Sequence, residues 1–182
     1  MKVLSLVLLL LASLCRSSAD SWGAPSPSGY SSPSGKYVLR ILPGDSQAGK
    51  KSLALVFEIA SNDDKYNKRN EFPLVNARAP VDACISDQGE VITFDDWGMM
   101  GYEHVIVWYT ANGKTHREYQ LLNLFPAPEL LKIREKHTTK SSVHWRRDRP
   151  YFNGPILVIP VSLGGYITII NGKTEYFPSK QR

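Results

Sequence analysis

Beyond its first twenty residues the chain offers no long apolar run. It breaks instead into short stretches rich in β-branched and aromatic residues: KYVLRIL, KSLALVFEI, EVITF, HVIVWYT, HREYQLL, SSVHW, PILVIPV, GYITII and KTEYF. Runs of this length bounded by turn chemistry read as strands. Two connections are especially legible. YTANGKTHREY and ITIINGKTEYF each place Asn-Gly between extended runs, and a type I′ turn needs φ > 0 at both central positions, which Asn and Gly tolerate best. Tight hairpins are therefore expected at Asn112-Gly113 and Asn171-Gly172. One segment reads as helix, APELLKIREKH. Pro126 and Pro128 suit its first turn, Glu129 favours the positive end of the dipole, and Lys136 and His137 favour the negative end. The expected class is mostly β with one short helix.

An internal echo narrows the β architecture. SPSGKYVLRI from residue 32 and SDQGEVITFD from residue 86 both place Ser, a turn, Gly and then a β run, each followed by a second apolar strand. The first unit weakly resembles the Ser-Pro-Asp-Gly opening of propeller-blade repeats. Gly35 and Gly89 are 54 positions apart, so at that period the chain holds fewer than the roughly four blades of a closed propeller. Blade-like antiparallel meanders forming a compact sandwich or open barrel are expected. A propeller completed by oligomerisation is the lesser alternative.

The N-terminus sets the compartment. Lys2 precedes an apolar run from Val3 to Leu11, and Ser17 and Ala19 supply small residues at −3 and −1 of a cleavage site. The run is well short of the roughly 20 residues that span a bilayer. Residues 1–19 thus read as a signal peptide cleaved after Ala19, and the protein as secreted or periplasmic. Residues 20–35, rich in Ser, Pro and Gly, read as a flexible lead-in; residues 36–178 as a single β-rich domain; residues 179–182 as a basic tail. Cleavage removes Cys15 and leaves Cys84, so no intramolecular disulfide can form. Cys84 in PVDACIS has apolar neighbours and reads as buried and inert.

A longer stretch, EFPLVNARAPVDACISDQGEVITFDDWGMMGYEHVIVWYTANGKTHREYQLLNLFP with the later SSVHW, resembles a group of exported bacterial proteins of uncharacterised function. Their pattern joins an Asn and Pro-Val lead, a Ser-Asp-x-Gly turn, Thr-Phe-Asp-Asn/Asp-Trp, Gly-Tyr, a Val-rich strand and Ser-Ser-x-x-Trp. Matching positions include Asn76, Pro80, Ser86, Asp87, Gly89, Thr93 to Trp97, Gly101, Tyr102, Ser141, Ser142 and Trp145. The resemblance covers about half of the mature chain. It implies an extracytoplasmic setting and a β-rich fold, and it implies no reaction. Glu103-His104 departs from it, where the pattern has another small residue.

Within that stretch Asp95, Asp96, Trp97, Tyr102 and His104 form a candidate binding loop between two strands, where a rigid scaffold typically displays functional groups. An acid pair beside a histidine could hold a divalent cation or polarise a water. Adjacent strand residues point to opposite faces, however, so the two acids share a site only if the backbone bulges. The favoured reading is structural, with Asp95 or Asp96 bonded to loop N–H groups, Trp97 and Tyr102 covering the end of the core, and His104 solvated. His116, His137 and His144 show no ligand spacing. The sequence has no Gly-x-Ser-x-Gly elbow, phosphate-binding Gly loop, His-Glu-x-x-His helix or cysteine zinc site. No cofactor, metal or catalytic residue is assigned.

Charge is the remaining clue. Loss of Lys2 and Arg16 lowers the formal charge from +5 to +3. The segment from Lys132 to Arg149 holds Lys132, Arg134, Lys136, Lys140, Arg146, Arg147 and Arg149 against Glu135 and Asp148, a surplus of +5. These seven cations are the candidate anion-binding set. Outside the cytoplasm their partners would be an anionic glycan, a lipid surface or an acidic protein. Nucleic acid is disfavoured by export and by the lack of a binding module. The expected function is a non-catalytic binding or scaffolding role; the alternative is a small hydrolase or metal-dependent enzyme centred on the Asp95-Asp96 loop. Protein recovered outside the cytoplasm should begin at or within a few residues of Asp20 when its N-terminus is sequenced, and recovery of Met1 there would refute the leader.

Overall fold

The Ser-x-x-Gly units found in the sequence are strand connections. A computed structural model describes residues 21–45, 47–60 and 65–179; the leader expected at 1–19 and residues 180–182 of the expected basic tail lie outside the described residues. The Ser32 N–H donates to Tyr37 O and the Gly35 N–H to Ser32 O, while the Ser86 N–H donates to Glu90 O and the Gly89 N–H to Ser86 O. In each unit the serine hydroxyl also accepts a backbone N–H, from Tyr37 in the first and from Gln88 and Glu90 in the second. Gly35 and Gly89 close these turns at φ +74° and +78°, a region L-residues seldom enter. Asp87 ties the two units together, accepting from the Ser34 N–H and hydroxyl at 3.0 and 2.6 Å.

Each unit joins the first two strands of a four-stranded antiparallel meander. The first contains β1 (Ser28–Ser31), β2 (Tyr37–Leu42), β3 (Leu53–Ile59) and β4 (Tyr66–Pro73). The second contains β5 (Pro80–Ile85), β6 (Val91–Asp96), β7 (Ile106–Tyr109) and β8 (Thr115–Tyr119). After a single turn, α1 (Leu121–Leu124), and the helix α2 (Ala127–His137), a third meander follows: β9 (Tyr151–Asn153), β10 (Ile156–Pro160), β11 (Gly165–Ile170) and β12 (Lys173–Pro178). All three pair in chain order, and every pairing is antiparallel. The helix spans the residues the sequence assigned to it, with Pro126 as its N-cap residue.

The second sheet lies between the other two. Strand residues alternate between faces, and here both faces are covered. Val91, Val107 and Tyr109 join a core with Leu39, Ile41, Ala54 and Val56 of the first sheet. Ile92, Phe94, Ile106 and Trp108 join a second core with Leu157, Ile159, Ile167 and Ile169 of the third, completed by Leu130 and Ile133 of α2. Two-sided burial is why EVITF and VIVWY read as nearly unbroken apolar runs. At the far edge Arg117 and Tyr119 of β8 donate to Gly172 O in the β11–β12 turn, pinning the second sheet to the third.

Several expectations change. Ser28–Ser31, assigned to the flexible lead-in, form β1, because Tyr30 supplies an apolar ring that packs on the first core and β2 offers a free edge. The Asn171-Gly172 hairpin has φ +49° and +75°, as a type I′ turn requires. At Asn112-Gly113 only Gly113 is left-handed, at +82°. There the Gly113 N–H donates to Thr110 O and the Thr110 N–H to Lys114 O, a three-residue loop in which glycine closes a type I turn. SSVHW is no strand; its Val143 makes an isolated bridge with Thr138, and Arg146 just beyond it makes another with Val161. Leu39 and Leu157 are fully buried, one in each core. Truncating either to Ala should cost about 2–5 kcal/mol and lower one common melting transition, measured by calorimetry; two separated transitions would show that the sheets unfold independently.

Candidate functional site

The end of β6 sends its two acids to opposite sides, in the reverse of the order that alternation after the inward Phe94 would give. Asp95 is fully buried and sits in the left-handed region at φ +57°. Its Oδ1 accepts from the Trp145 indole N–H and the Gly101 N–H, both at 2.8 Å, and its Oδ2 from Arg146 Nε at 3.1 Å. Arg146 reaches on to Asp82 of β5, Nη1 to Oδ2 at 3.2 Å, with its guanidinium 5.7 Å from the Phe94 ring centre. Its side chain is only 8% exposed. Burial pushes the Asp95 carboxyl above the usual carboxylate range, only partly opposed by the Arg146 charge, the indole and the Gly101 amide. Three donors aimed at both oxygens suit the carboxylate form. Four residues of the motif pattern, Asn76, Asp95, Gly101 and Trp145, thus meet around this strand end.

Asp96 faces the other way, its Oδ1 accepting from Asn76 Nδ2 at 2.7 Å. Asn76 is fully buried in the link between the first and second sheets, and it also donates to Asp95 O at 3.3 Å. The two acids therefore do not share a site: Asp95 anchors the link to the third sheet, and Asp96 the link from the first. Trp97 donates from Nε1 to Gly23 O at 2.8 Å and packs edge-on against Trp22, so it holds the N-terminal segment. Tyr102 is exposed. His104 is less solvated than expected, because its Nδ1 is buried 3.5 Å from Glu118 Oε2 without a hydrogen bond. Ligand atoms of Asp96, Glu103 and His104 lie within 4.8 Å of one another. Any cation site on this loop would use Glu103 in place of Asp95.

The basic set divides as well. Arg146 is removed from it, because its guanidinium is spent inside the fold on two buried carboxylates. Lys132, Arg134, Lys136, Lys140, Arg147 and Arg149 are all exposed. Lys132 lies 3.9 Å from Glu129 and Arg147 2.9 Å from Asp148. Lys132 and Lys136, one helical turn apart, flank a cleft of about 260 Å³ with Tyr176 and Pro178.

One feature escaped the sequence. The first strands of the three meanders line a groove of about 470 Å³ whose walls include Tyr30 of β1, Asp82 and Cys84 of β5, and Tyr151 and Phe152 of β9, with Arg149 beside them. Burial, first, pushes the Tyr30 hydroxyl up, and burial likewise pushes the Cys84 thiol up, which leaves it protonated and unreactive. The groove adjoins the Asp82–Arg146–Asp95 network through Asp82. Its only sequence signal was an acid within the apolar PVDACI run. Nothing local in HWRRDR tells which arginine turns inward.

Arg146→Gln should destabilise by about 3–5 kcal/mol, the cost of leaving buried carboxylates without their cation, whereas the exposed Arg147→Gln should change stability by less than about 0.5 kcal/mol. Urea unfolding of the two variants checks this; equal effects would mean that the network carries no stability. No family model, curated protein or solved structure matches this chain.

Proposed function

We propose that this protein is an extracytoplasmic, non-catalytic binding module that meets an anionic partner through the exposed cations of residues 132–149. The observation that carries the reading is the division of that segment. Its one inward arginine completes the fold, and its other six cations stay at the surface. Among the described residues Arg134, Lys136, Lys140 and Arg149 have no carboxylate at ion-pair distance. Such charges attract an anionic surface without first breaking a pair. The acids proposed for catalysis are engaged, Asp95 with Arg146, Trp145 and Gly101 and Asp96 with Asn76. No described helix is long and apolar enough to cross a membrane. The leader and the resemblance to exported proteins support the extracytoplasmic setting.

A second reading rests on Asp96, Glu103 and His104. Their mutual proximity and the His104 Nδ1 without a hydrogen bond suit a divalent cation. It would supply the metal-dependent alternative with a different residue set from Asp95 and Asp96.

Replacing Arg134, Lys136 and Lys140 by Gln should weaken binding to a sulfated polysaccharide or to anionic vesicles by about a hundredfold, at about 1 kcal/mol per cation near an anionic surface. The control changes Lys50, Lys51 and Lys114, and the whole effect should fade with salt. Equal losses in the two triple variants would reduce the binding to net charge. In the same preparation, a melting temperature raised by Zn²⁺ in the wild type and not in His104→Ala would move the assignment to the metal reading; the binding reading expects no rise.

A further inference from the structure

The stacking that covers both sides of the second sheet leaves one side of the first and one side of the third uncovered. In the first sheet Tyr37, Leu39 and Ile41 point to the second sheet. The alternate positions form the other face: Val38, Leu53, Leu55, Phe57 and Ile59, with Arg40, Lys68 and Glu71 beside them. None of these is buried, and Ile59 is exposed. In the third sheet Leu157, Ile159, Ile167 and Ile169 point inward, and Ile156, Val158, Tyr166, Ile170 and Phe177 lie on the opposite face, with Thr168, Lys173 and Glu175 beside them. Tyr166 and Ile170 are exposed there, the Tyr166 ring stacked on Phe177 with centroids 4.9 Å apart. Isolated apolar residues on a surface need no explanation, but a row of apolar side chains on each of two uncovered sheet faces does.

The two faces are not alike. One is the side of the first sheet that points away from the second, and the other is the corresponding side of the third. Stacking the third sheet of one copy on the first sheet of another would continue the succession already present twice within the chain. Contacts of this head-to-tail kind close a ring when the rotation allows. The count of sheets fixes how many copies can do so. Rings of four-stranded blades contain roughly four to eight; one copy supplies three, two supply six, and three would supply nine. Only two copies fall within the range.

The area also fits. Strands about 4.8 Å apart that rise about 3.3 Å per residue give a four-stranded face, with strands of roughly six residues, an extent of about 400 Å². Two such contacts would cover about 800 Å² on each copy, the size of a standard stable interface.

We propose that two copies of this chain pair head to tail, the uncovered face of the first sheet of each against the uncovered face of the third sheet of the other, and close a ring of six four-stranded sheets. The groove lined by β1, β5 and β9 is then half of an axial channel, and it is incomplete in a single copy.

Sedimentation equilibrium of the mature protein tests this, with Leu55→Lys altering the first face and Tyr166→Glu the third. The wild type is expected at twice the chain mass in the micromolar range. Each variant alone is expected as a monomer, because every interface would contain one altered face. An equimolar mixture of the two is expected to recover dimer, since one pair of unaltered faces then remains. A wild type that stays monomeric throughout overturns the proposal. So does one variant that remains dimeric alone, which would mean that like faces pair. Melting curves confirm that the variants are folded; if either is not, Val38→Lys and Ile170→Glu on the same two faces replace them.

Discussion

The Asp95 carboxylate is the point on which the chain's connections converge. It occupies left-handed backbone, which costs a non-glycine residue about 1–3 kcal/mol, and it is wholly out of water. Both penalties are offset only because each oxygen is aimed at donors from elsewhere in the chain: an indole, a loop amide and a guanidinium. Those donors come from the β6–β7 connection and from the segment entering the third sheet. One side chain thereby fixes the loop that contains Gly101 and the approach of Trp145. A Cβ on Gly101 would lie 2.7 Å from Val143 Cβ, so the site depends on the absence of a side chain as much as on the carboxylate. Asp82 shares the same guanidinium, which leaves two acids and one base in a nearly dry interior. Such an arrangement is sensitive to the loss of any member.

The second sheet has a related role at larger scale. With a core on each face it is the wall that the other two sheets share, and its residues decide the fate of both. Asp95 and Asp96, adjacent in sequence, carry this two-sidedness to the end of β6. One is bonded toward the third sheet and the other toward the first. The acid pair that looks like a catalytic dyad when read as letters is the consequence of a strand buried on both sides.

What was legible in the sequence was local. Turn residues, β-branched runs and the helix limits follow from nearest-neighbour chemistry, and so the Ser-x-x-Gly units, the α2 span and both hairpins were visible. The misses have physical causes. β4, YNKRNEFP, is an edge strand with mostly exposed polar side chains and hence no apolar alternation. β1 owes its conformation to pairing with β2 rather than to its own Ser-Gly composition. The turn type at Asn112 was misread because Thr110 and Gly113 close a longer loop. At the candidate site the deciding contacts span about fifty residues, from Asp95 to Trp145 and Arg146. A charged residue written beside two similar arginines carries no mark of which one turns inward. The groove is invisible for the same reason, since three strands far apart in sequence form it.

Cys84 is the one cysteine among the described residues, and it is buried with its thiol held protonated. Two cores and a hydrogen-bonded charge network, not covalent links, therefore hold the described fold together. For the described residues, folding does not wait on oxidation of a thiol pair, and the redox potential of the surroundings does not enter their stability.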